Sequence, residues 1–415
     1  MLTRRYFLRG SAVVLAGMGA VPSWLTRATA AEGKKRKILI AIFQRGAADG
    51  LNIVAPFFEK RYRELRPTLA IAVPSGLSGT NAPGPVGPFN GGAIDLDGRF
   101  ALNGAMQPLK ALWDKKQLAI VEATGSPDSS RSHFDAQDYM ESGTSSKTMG
   151  DGWLNRALPP AGADTSALRA VALGNQIPRT LRGEREAIAV GDSQQFNIGS
   201  QDAAAILENM YATSTDAKWG RTGKNAFEAM KLIRSINQSP YNPGGAQYQQ
   251  GGNLGRSLQQ LARLIKADAG VEAAFAEIDG WDHHGNENQQ MVNLLRQFSF
   301  ALAAFTQDMG DRMEDIILVT MSEFGRTAAE NGNGGTDHGH GNLMMVLGGP
   351  IKGGQVYGKW PGLEKEQLFE GRDLAVTTDY RTVLGELVRG HLGQKDVANV
   401  FPGFLTGDAL GLLGS

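Results

Sequence analysis

The histidines of this chain are its best candidates for metal binding, because most of them lie beside acidic side chains. Five of the six histidines fall in three short motifs, RSHF, GWDHHG and GTDHGHG. The chain has no cysteine, so a metal site would have to use imidazole nitrogens and carboxylate oxygens. His391 stands apart from these motifs, and we expect it to be a surface or packing residue.

The GWDHHG motif offers two alternative ligand pairs. Asp282 and His284 are two residues apart, so in an extended stretch both side chains point to the same side and can chelate one ion. Asp279 and His283, four residues apart, form a competing pair. Either pair suits zinc, manganese or iron better than copper.

The GTDHGHG motif contains Asp337, His338 and His340 between glycines, which permit the sharp bends of a crowded ligand loop. A nearby SEFGR motif adds Glu323 directly after an apolar run. A cluster of histidines packed only for structural reasons is the alternative. Because three such motifs lie at the ends of expected strands, the pattern favours metal binding.

Two further positions have both a chemical and a purely structural interpretation. Asp49 follows the first expected strand, where it could bind a metal or could form a turn before Gly50. Ser132 precedes an expected helix, where it could be a nucleophile or an N-cap. Arg131 could bind a phosphate or sulfate oxygen, although surface arginines are also common.

The elements expected to position these residues alternate between strands and helices. Apolar runs at 38–43, 118–123, 271–278, 316–320 and 343–347 predict buried strands. Helical periodicity recurs at 106–113, 134–142, 254–267 and 291–309. This alternation predicts an α/β fold with a doubly wound, mostly parallel sheet flanked by helices. Residues 76–100 are expected to be loops with a hairpin, and residues 195–253 an inserted cap.

The first thirty residues are typical of a twin-arginine signal peptide. Arg4 and Arg5 precede an apolar stretch at 11–21, and Ala28-Thr29-Ala30 provides a small-residue cleavage site. The apolar stretch is about half the length that a membrane-spanning helix requires, so no stable transmembrane anchor is expected. We therefore predict that the twin-arginine translocase exports a single mature domain, residues 31–415, to the periplasm or the medium; a retained N-terminal anchor is the alternative.

Charge and motifs exclude several classes of protein. The whole chain has 42 basic and 42 acidic side chains, and loss of the signal peptide removes four arginines, which gives a net charge of −4. A nucleic-acid-binding protein would be more basic. The sequence contains neither G-x-S-x-G nor H-E-x-x-H, and no phosphate-binding loop precedes Lys224.

The motif set as a whole resembles one bacterial family, called domain of unknown function 1501. The resemblance rests on RGAADGLN, RSHFDAQDYMESG, GWLNR, GWDHH, SEFGR, GTDHGHG, VYGKWPGL and TTDYR, and spans about residues 37–404. That family in turn looks like a branch of the alkaline phosphatase and sulfatase superfamily. The resemblance implies an alkaline-phosphatase-like fold that binds one or two divalent ions, with zinc, manganese, calcium and magnesium not distinguished.

The same resemblance implies roles for individual residues. Asp49 would be the first-strand metal ligand, Asp282 and His284 would bind one ion, and Ser132 would be the nucleophile, with Arg131 and His133 as further catalytic residues. One departure stands out. In many relatives an Asp-His pair directly follows a late strand; here Glu323-Phe324 occupies that place and the Asp-His pair is Asp337-His338.

Two explanations of this departure remain open. Either Glu323 substitutes as a carboxylate ligand while the GTDHGHG loop supplies His338 or His340, or the second metal is lost. The implied function is an exported, metal-dependent hydrolase of phosphate or sulfate esters that acts on a small-molecule or glycan substrate. The alternatives are a non-catalytic envelope protein that binds metal or glycan and an assembly factor.

Overall fold

The structure is a computed structural model that describes residues 36–74, 92–145, 149–162, 165–191, 208–211, 213–405 and 407–414. The predicted signal peptide lies outside the described residues. So do most of the predicted 76–100 excursion and the first part of the predicted insertion at 195–253.

The described elements alternate along most of the chain. The strands are β1 (Ile38–Gln44), β2 (Val54–Ala55), β3 (Ile94–Asp95), β4 (Ala101–Leu102), β5 (Leu118–Gly125), β6 (Ala170–Ala172), β7 (Ile188–Ala189), β8 (Ala273–Ile278), β9 (Ile316–Met321), β10 (Asn342–Gly348), β11 (Gln355–Tyr357) and β12 (Thr378–Asp379). The α-helices are α1 (Gly50–Ile53), α2 (Lys60–Leu65), α3 (Lys110–Asp114), α4 (His133–Ser142), α5 (Trp153–Ala157), α6 (Ala217–Gln238), α7 (Gly252–Lys266), α8 (Glu287–Met309), α9 (Tyr380–Gly390) and α10 (Val397–Val400). Short 3₁₀ helices span Gly104–Leu109, Arg179–Leu181, Tyr248–Gly251 and Gly310–Asp315.

One large mixed sheet forms the centre of the molecule. Its strand order is β11-β5-β10-β9-β1-β8-β6-β7, and β12 also pairs with β5. Neighbouring strands are parallel except at β10, which is antiparallel to both β5 and β9. A small antiparallel sheet, β2-β4-β3, lies apart from it.

The central strands are apolar throughout because helices cover both faces of the sheet. In β1, Ile38, Ile40 and Ile42 belong to one core with α7 and α8. The alternate residues Leu39 and Phe43 belong to a second core with α5, α9 and α10. Side chains alternate across a strand, so a strand buried on both faces needs an unbroken apolar run. The predicted α/β class, with a mostly parallel sheet flanked by helices, is confirmed.

Some elements differ from the prediction for local reasons. The helix predicted at 106–113 is divided into a 3₁₀ helix and α3, and Pro108 lies inside the first part, where it cannot donate a backbone hydrogen bond. Strands β6 and β7 were not predicted, because two or three residues carry too little periodicity. Within the described part of the predicted insertion at 195–253, the long helix is α6. None of the described helices combines the length and apolarity needed to cross a bilayer.

The reversed direction of β10 determines which loops meet. The carboxyl ends of the parallel strands β1, β5, β8 and β9 lie at one edge of the sheet. Because β10 runs the other way, its first residue, Asn342, lies at that same edge and pairs with Thr124 near the end of β5. The GTDHGHG loop before β10 therefore meets the loops that follow the parallel strands, whereas a parallel β10 would have placed it at the opposite edge.

Candidate metal centre

Three imidazoles and one carboxylate converge at this edge of the sheet. The His338 Nε2 atom lies 3.0 Å from His133 Nε2 and 3.1 Å from His284 Nε2. The Asp282 Oδ1 atom lies 2.9 Å from His284 Nε2 and 3.3 Å from His338 Nε2. Ligand atoms of His133, Asp282 and His338 all lie within 4.8 Å of one another. We call these four side chains the histidine cluster.

The other ring nitrogen of each clustered histidine faces a hydrogen-bond acceptor. The three contacts are His133 Nδ1 to Glu323 Oε1 at 2.8 Å, His284 Nδ1 to Asp337 Oδ1 at 3.1 Å, and His338 Nδ1 to the Arg131 carbonyl oxygen at 2.9 Å. Carboxylate and carbonyl oxygens only accept hydrogen bonds, so each Nδ1 must carry the proton. In the neutral ring the lone pair is then on Nε2.

This arrangement fits a bound cation. Three Nε2 lone pairs directed at one another and at an Asp282 oxygen repel unless a positive charge lies between them. Acceptors at Nδ1 are also the usual means by which proteins orient metal-binding histidines. The group formed by His133, Asp282 and His338 could therefore hold a metal ion.

Hydrogen bonds keep the surrounding carboxylates ionised. Burial alone would raise the pKa of Glu323, but hydrogen bonds from His133, Gln137 and the Gly46 amide lower it. Burial would likewise raise the pKa of Asp282, and the hydrogen bond from Arg326 lowers it. The hydrogen bond to Glu323 raises the pKa of His133. The two carboxylates at the cluster are therefore negatively charged.

Arg326, which was not among the predicted site residues, ties three loops of the site together. Its guanidinium is fully buried and lies 2.5 Å from Asp282 Oδ1. It also donates to the backbone carbonyls of Gly46, Ala47, Trp281 and Thr336. These carbonyls belong to the loops after β1 and β8 and to the loop before β10. Arg326 thus fixes the carboxylate of Asp282 and the loops that carry the ligands.

Glu323 and Asp337, the two alternative carboxylate ligands, both contact the histidine cluster from its outer side. Each accepts a hydrogen bond from Nδ1 of a clustered histidine and therefore orients that ring. The carboxylate among the inner atoms is Asp282, and the predicted Asp282–His284 pair is formed. In the competing pair, His283 is buried, and burial lowers its pKa to about 4.

Asp49 does not join the histidine cluster, contrary to its predicted role as a ligand. Arg66 binds both of its oxygens, at 2.5 and 3.0 Å, and both side chains are almost completely buried. Burial would raise the pKa of Asp49, but the Arg66 charge lowers it. Burial and the Asp49 charge raise the pKa of the adjacent Glu287 well above its usual range. The buried salt bridge with Arg66 therefore explains why Asp49 lies in the interior.

His340, the other predicted ligand outside the cluster, packs against an aromatic ring. Its ring centroid lies 4.3 Å from that of Phe369, and its side chain is buried. Within the described part of the chain, no hydrogen bond connects His340 to a cluster residue. The two histidines of GTDHGHG are two residues apart, yet only His338 reaches the cluster.

The three residues predicted to be catalytic differ in their contacts. His133 is itself one of the clustered imidazoles. The guanidinium of Arg131 contacts Asp373 at 2.6 Å and Glu370 at 2.7 Å, so it is already engaged by two carboxylates. Ser132 occupies the N-cap position of α4, but its side chain makes no capping hydrogen bond. Its hydroxyl is therefore not committed to the helix.

Fold and site together define an α/β protein with a candidate metal centre at the carboxyl edge of its sheet. The chain belongs to the family described as protein of unknown function DUF1501, whose model matches residues 104–398. No curated protein matches the chain.

Two solved structures share a distant likeness with this chain. One is the lipoteichoic acid synthase LtaP from Listeria monocytogenes, with 9% identity, a TM-score of 0.32, and coverage of 78% of this chain and 71% of that one. The other is the PsFucS1 sulfatase from Pseudoalteromonas sp., with 10% identity, a TM-score of 0.35, and coverage of 95% and 78%. Likenesses this weak assign no activity to the present chain.

Proposed function

We propose that the protein is an exported, metal-dependent hydrolase of phosphate or sulfate esters. The observation that carries the proposal is the convergence of three imidazole Nε2 atoms and the Asp282 carboxylate, together with a serine, directly before His133 in the chain, whose hydroxyl does not cap its helix. The motif resemblance to the alkaline phosphatase and sulfatase superfamily suggests the class of reaction. Export rests on the leader sequence, and fractionation of cells expressing the chain with Arg4 and Arg5 replaced by lysine tests it.

His133, Asp282, His284 and His338 would hold the ion. A divalent cation in such a site acts as a Lewis acid that polarises the ester and stabilises developing negative charge. Glu323 and Asp337 keep His133 and His284 in the tautomer that binds through Nε2.

Ser132 is the proposed nucleophile. It stands between His133, a cluster member, and Arg131, whose carbonyl oxygen accepts the hydrogen bond from His338. In the proposed reaction, Ser132 Oγ bonds to phosphorus or sulfur as the bond to the leaving oxygen breaks. The hydroxyl proton is released, the leaving oxygen takes up a proton, and water then hydrolyses the serine ester.

One observation favours a second candidate, a non-catalytic metal-binding protein of the envelope. The Arg131 guanidinium, expected to bind the oxygens of the transferred group, is paired with Asp373 and Glu370. If these pairs persist with substrate, no cationic side chain at position 131 is left to neutralise the transferred group.

Two variants and one control distinguish the two candidates. Elemental analysis measures bound zinc and manganese, and aryl phosphates and aryl sulfates report turnover. We expect His338→Ala to lose both metal and activity. Ser132→Ala should keep the metal and lose activity by at least about a thousandfold. Ser129→Ala, an exposed serine of the same loop, should change neither.

Other outcomes contradict the proposal in different ways. Bound metal without turnover of any ester, unchanged in Ser132→Ala, would support the non-catalytic protein. Turnover that survives in Ser132→Ala would remove the nucleophile, and equal metal content in wild type and His338→Ala would remove the metal centre.

A further inference from the structure

An open cleft of about 530 Å³ lies beside the histidine cluster and has no assigned role. One wall is the α4 face that carries Gln137, Asp138 and Glu141. The segment that follows β6, up to Arg182, also lines the cleft, together with Ala172 of β6, Phe275 and Glu277 of β8, and Arg45. A cleft of this volume is within the range that accommodates small organic ligands.

The cleft and the candidate metal centre share a wall at Gln137. Its Nε2 atom donates to Glu323 Oε1 at 2.9 Å, and that same oxygen faces His133 Nδ1. Its Oε1 atom accepts from Arg45 Nη1, a cleft residue, at 3.0 Å. The side chain of Gln137 would therefore separate a ligand in the cleft from Glu323, the carboxylate that orients His133.

The charges that line the cleft cancel. Three arginines and three acidic residues line it, and most of them are paired. The ion pairs are Arg45 with Glu141 at 2.7 Å, Arg45 with Glu277 at 3.0 Å, and Arg179 with Asp138 at 2.8 Å. A balanced, polar lining suits a neutral ligand with many hydrogen-bonding groups better than a polyanion or an apolar molecule.

Two side-chain amides at the cleft could form hydrogen bonds with such a ligand. The exposed amides of Asn175 and Gln176 make no side-chain hydrogen bond to any described residue. Each amide offers donors and an acceptor, as neighbouring sugar hydroxyls require.

We propose that this cleft binds a neutral carbohydrate. The binding site is distinct from the histidine cluster and is connected to it through Gln137. Sugar binding requires neither bound metal nor turnover, so the proposal stands independently of the hydrolase activity.

The test is titration calorimetry of the mature protein with cellobiose, maltotriose and chitotriose, and with trialanine and inorganic phosphate as competing classes. We expect saturable binding of at least one sugar and none of trialanine or phosphate. Asn175→Ala and Gln176→Ala should each weaken that binding by about tenfold. Asn399→Ala removes an exposed amide outside the cleft, so it should bind as wild type.

Circular dichroism and melting curves confirm that each variant is folded. Failure of all three sugars to bind the folded wild type overturns the proposal, as does binding that is unchanged in both cleft variants. Binding of trialanine in place of sugar would assign the cleft to peptides. Loss of ester hydrolysis with sugar binding intact would defeat the hydrolase proposal and leave the present one standing.

Discussion

The partner of each histidine decides its role, since the six imidazoles are chemically identical. His133, His284 and His338 each face an acceptor at Nδ1, which leaves Nε2 free to bind a metal. By contrast, His340 packs on Phe369 and His391 donates to the Ile38 carbonyl oxygen in the interior.

Replacement of Asp49 distinguishes a salt bridge from a metal ligand. We expect Asp49→Asn to lower the free energy of unfolding by about 3–5 kcal/mol, because it leaves Arg66 buried without its counter-ion. The folded fraction should retain the metal content of wild type, measured by elemental analysis after urea unfolding curves establish stability.

Asp282→Asn is the matched control for this prediction. Its carboxylate is 46% exposed and belongs to the histidine cluster, so it should reduce bound metal with a smaller effect on unfolding. Reversed results, with metal lost in Asp49→Asn and retained in Asp282→Asn, would restore Asp49 as the ligand.

At the scale of elements, two loops bring the ligands together by crossing in close contact. The SEFGR loop after β9 passes the GTDHGHG loop before β10, and Arg326 pairs with His338 through an isolated bridge. Their backbones approach so closely that a Cβ on Gly339 would lie 2.3 Å from the Arg326 carbonyl carbon. Glycine is required there because of this contact.

Gly339→Ala therefore tests the crossing. The added methyl group meets backbone that cannot rotate away, so we expect a loss of about 1–3 kcal/mol in stability together with weaker metal binding, because His338 is the preceding residue. Thermal melting with and without added zinc measures both effects.

Gly332→Ala is the matched control, since a Cβ at that position meets nothing within 4 Å. It should behave as wild type in both measurements. Equal behaviour of the two variants would show that the loops do not constrain each other.

At the scale of the whole molecule, the two cores on either side of the sheet enclose ionisable groups. His391 is 5% exposed, and burial lowers its pKa to about 4 from a usual 6.5. The unfolded chain therefore binds a proton between these values that the folded chain does not. Protonation favours the unfolded state as the pH falls through this interval.

We expect acid to destabilise the protein between about pH 6.5 and pH 4, with His391 contributing up to about 3 kcal/mol. Urea unfolding at pH 7.5, 6 and 5 in the presence of a chelator measures the effect. His391→Gln can still donate to the Ile38 carbonyl but does not titrate, so its stability should fall less with pH. Parallel pH profiles for the two proteins would contradict this role.

The sequence alone determined the longer buried strands and the types of side chain that could bind a metal. The unbroken apolar runs of β1 and β9 predicted strands buried on both faces, because alternate side chains enter different cores. The spacing of Asp282 and His284 predicted a pair on one side of an extended stretch, and that contact is present at 2.9 Å. The pattern of residues along the chain predicts these strands and this pair, because they depend on residues that are close together in the sequence.

Only the tertiary structure decided which of the predicted residues meet. The antiparallel direction of β10 brought His338 to the edge where His133 and Asp282 lie, and the direction of a strand leaves no mark in its own sequence. The pairing of Asp49 with Arg66 also depends on a residue 17 positions away that the fold buries beside it. Charge pairing and strand direction are properties of contacts between distant segments, so they exist only once the chain has folded.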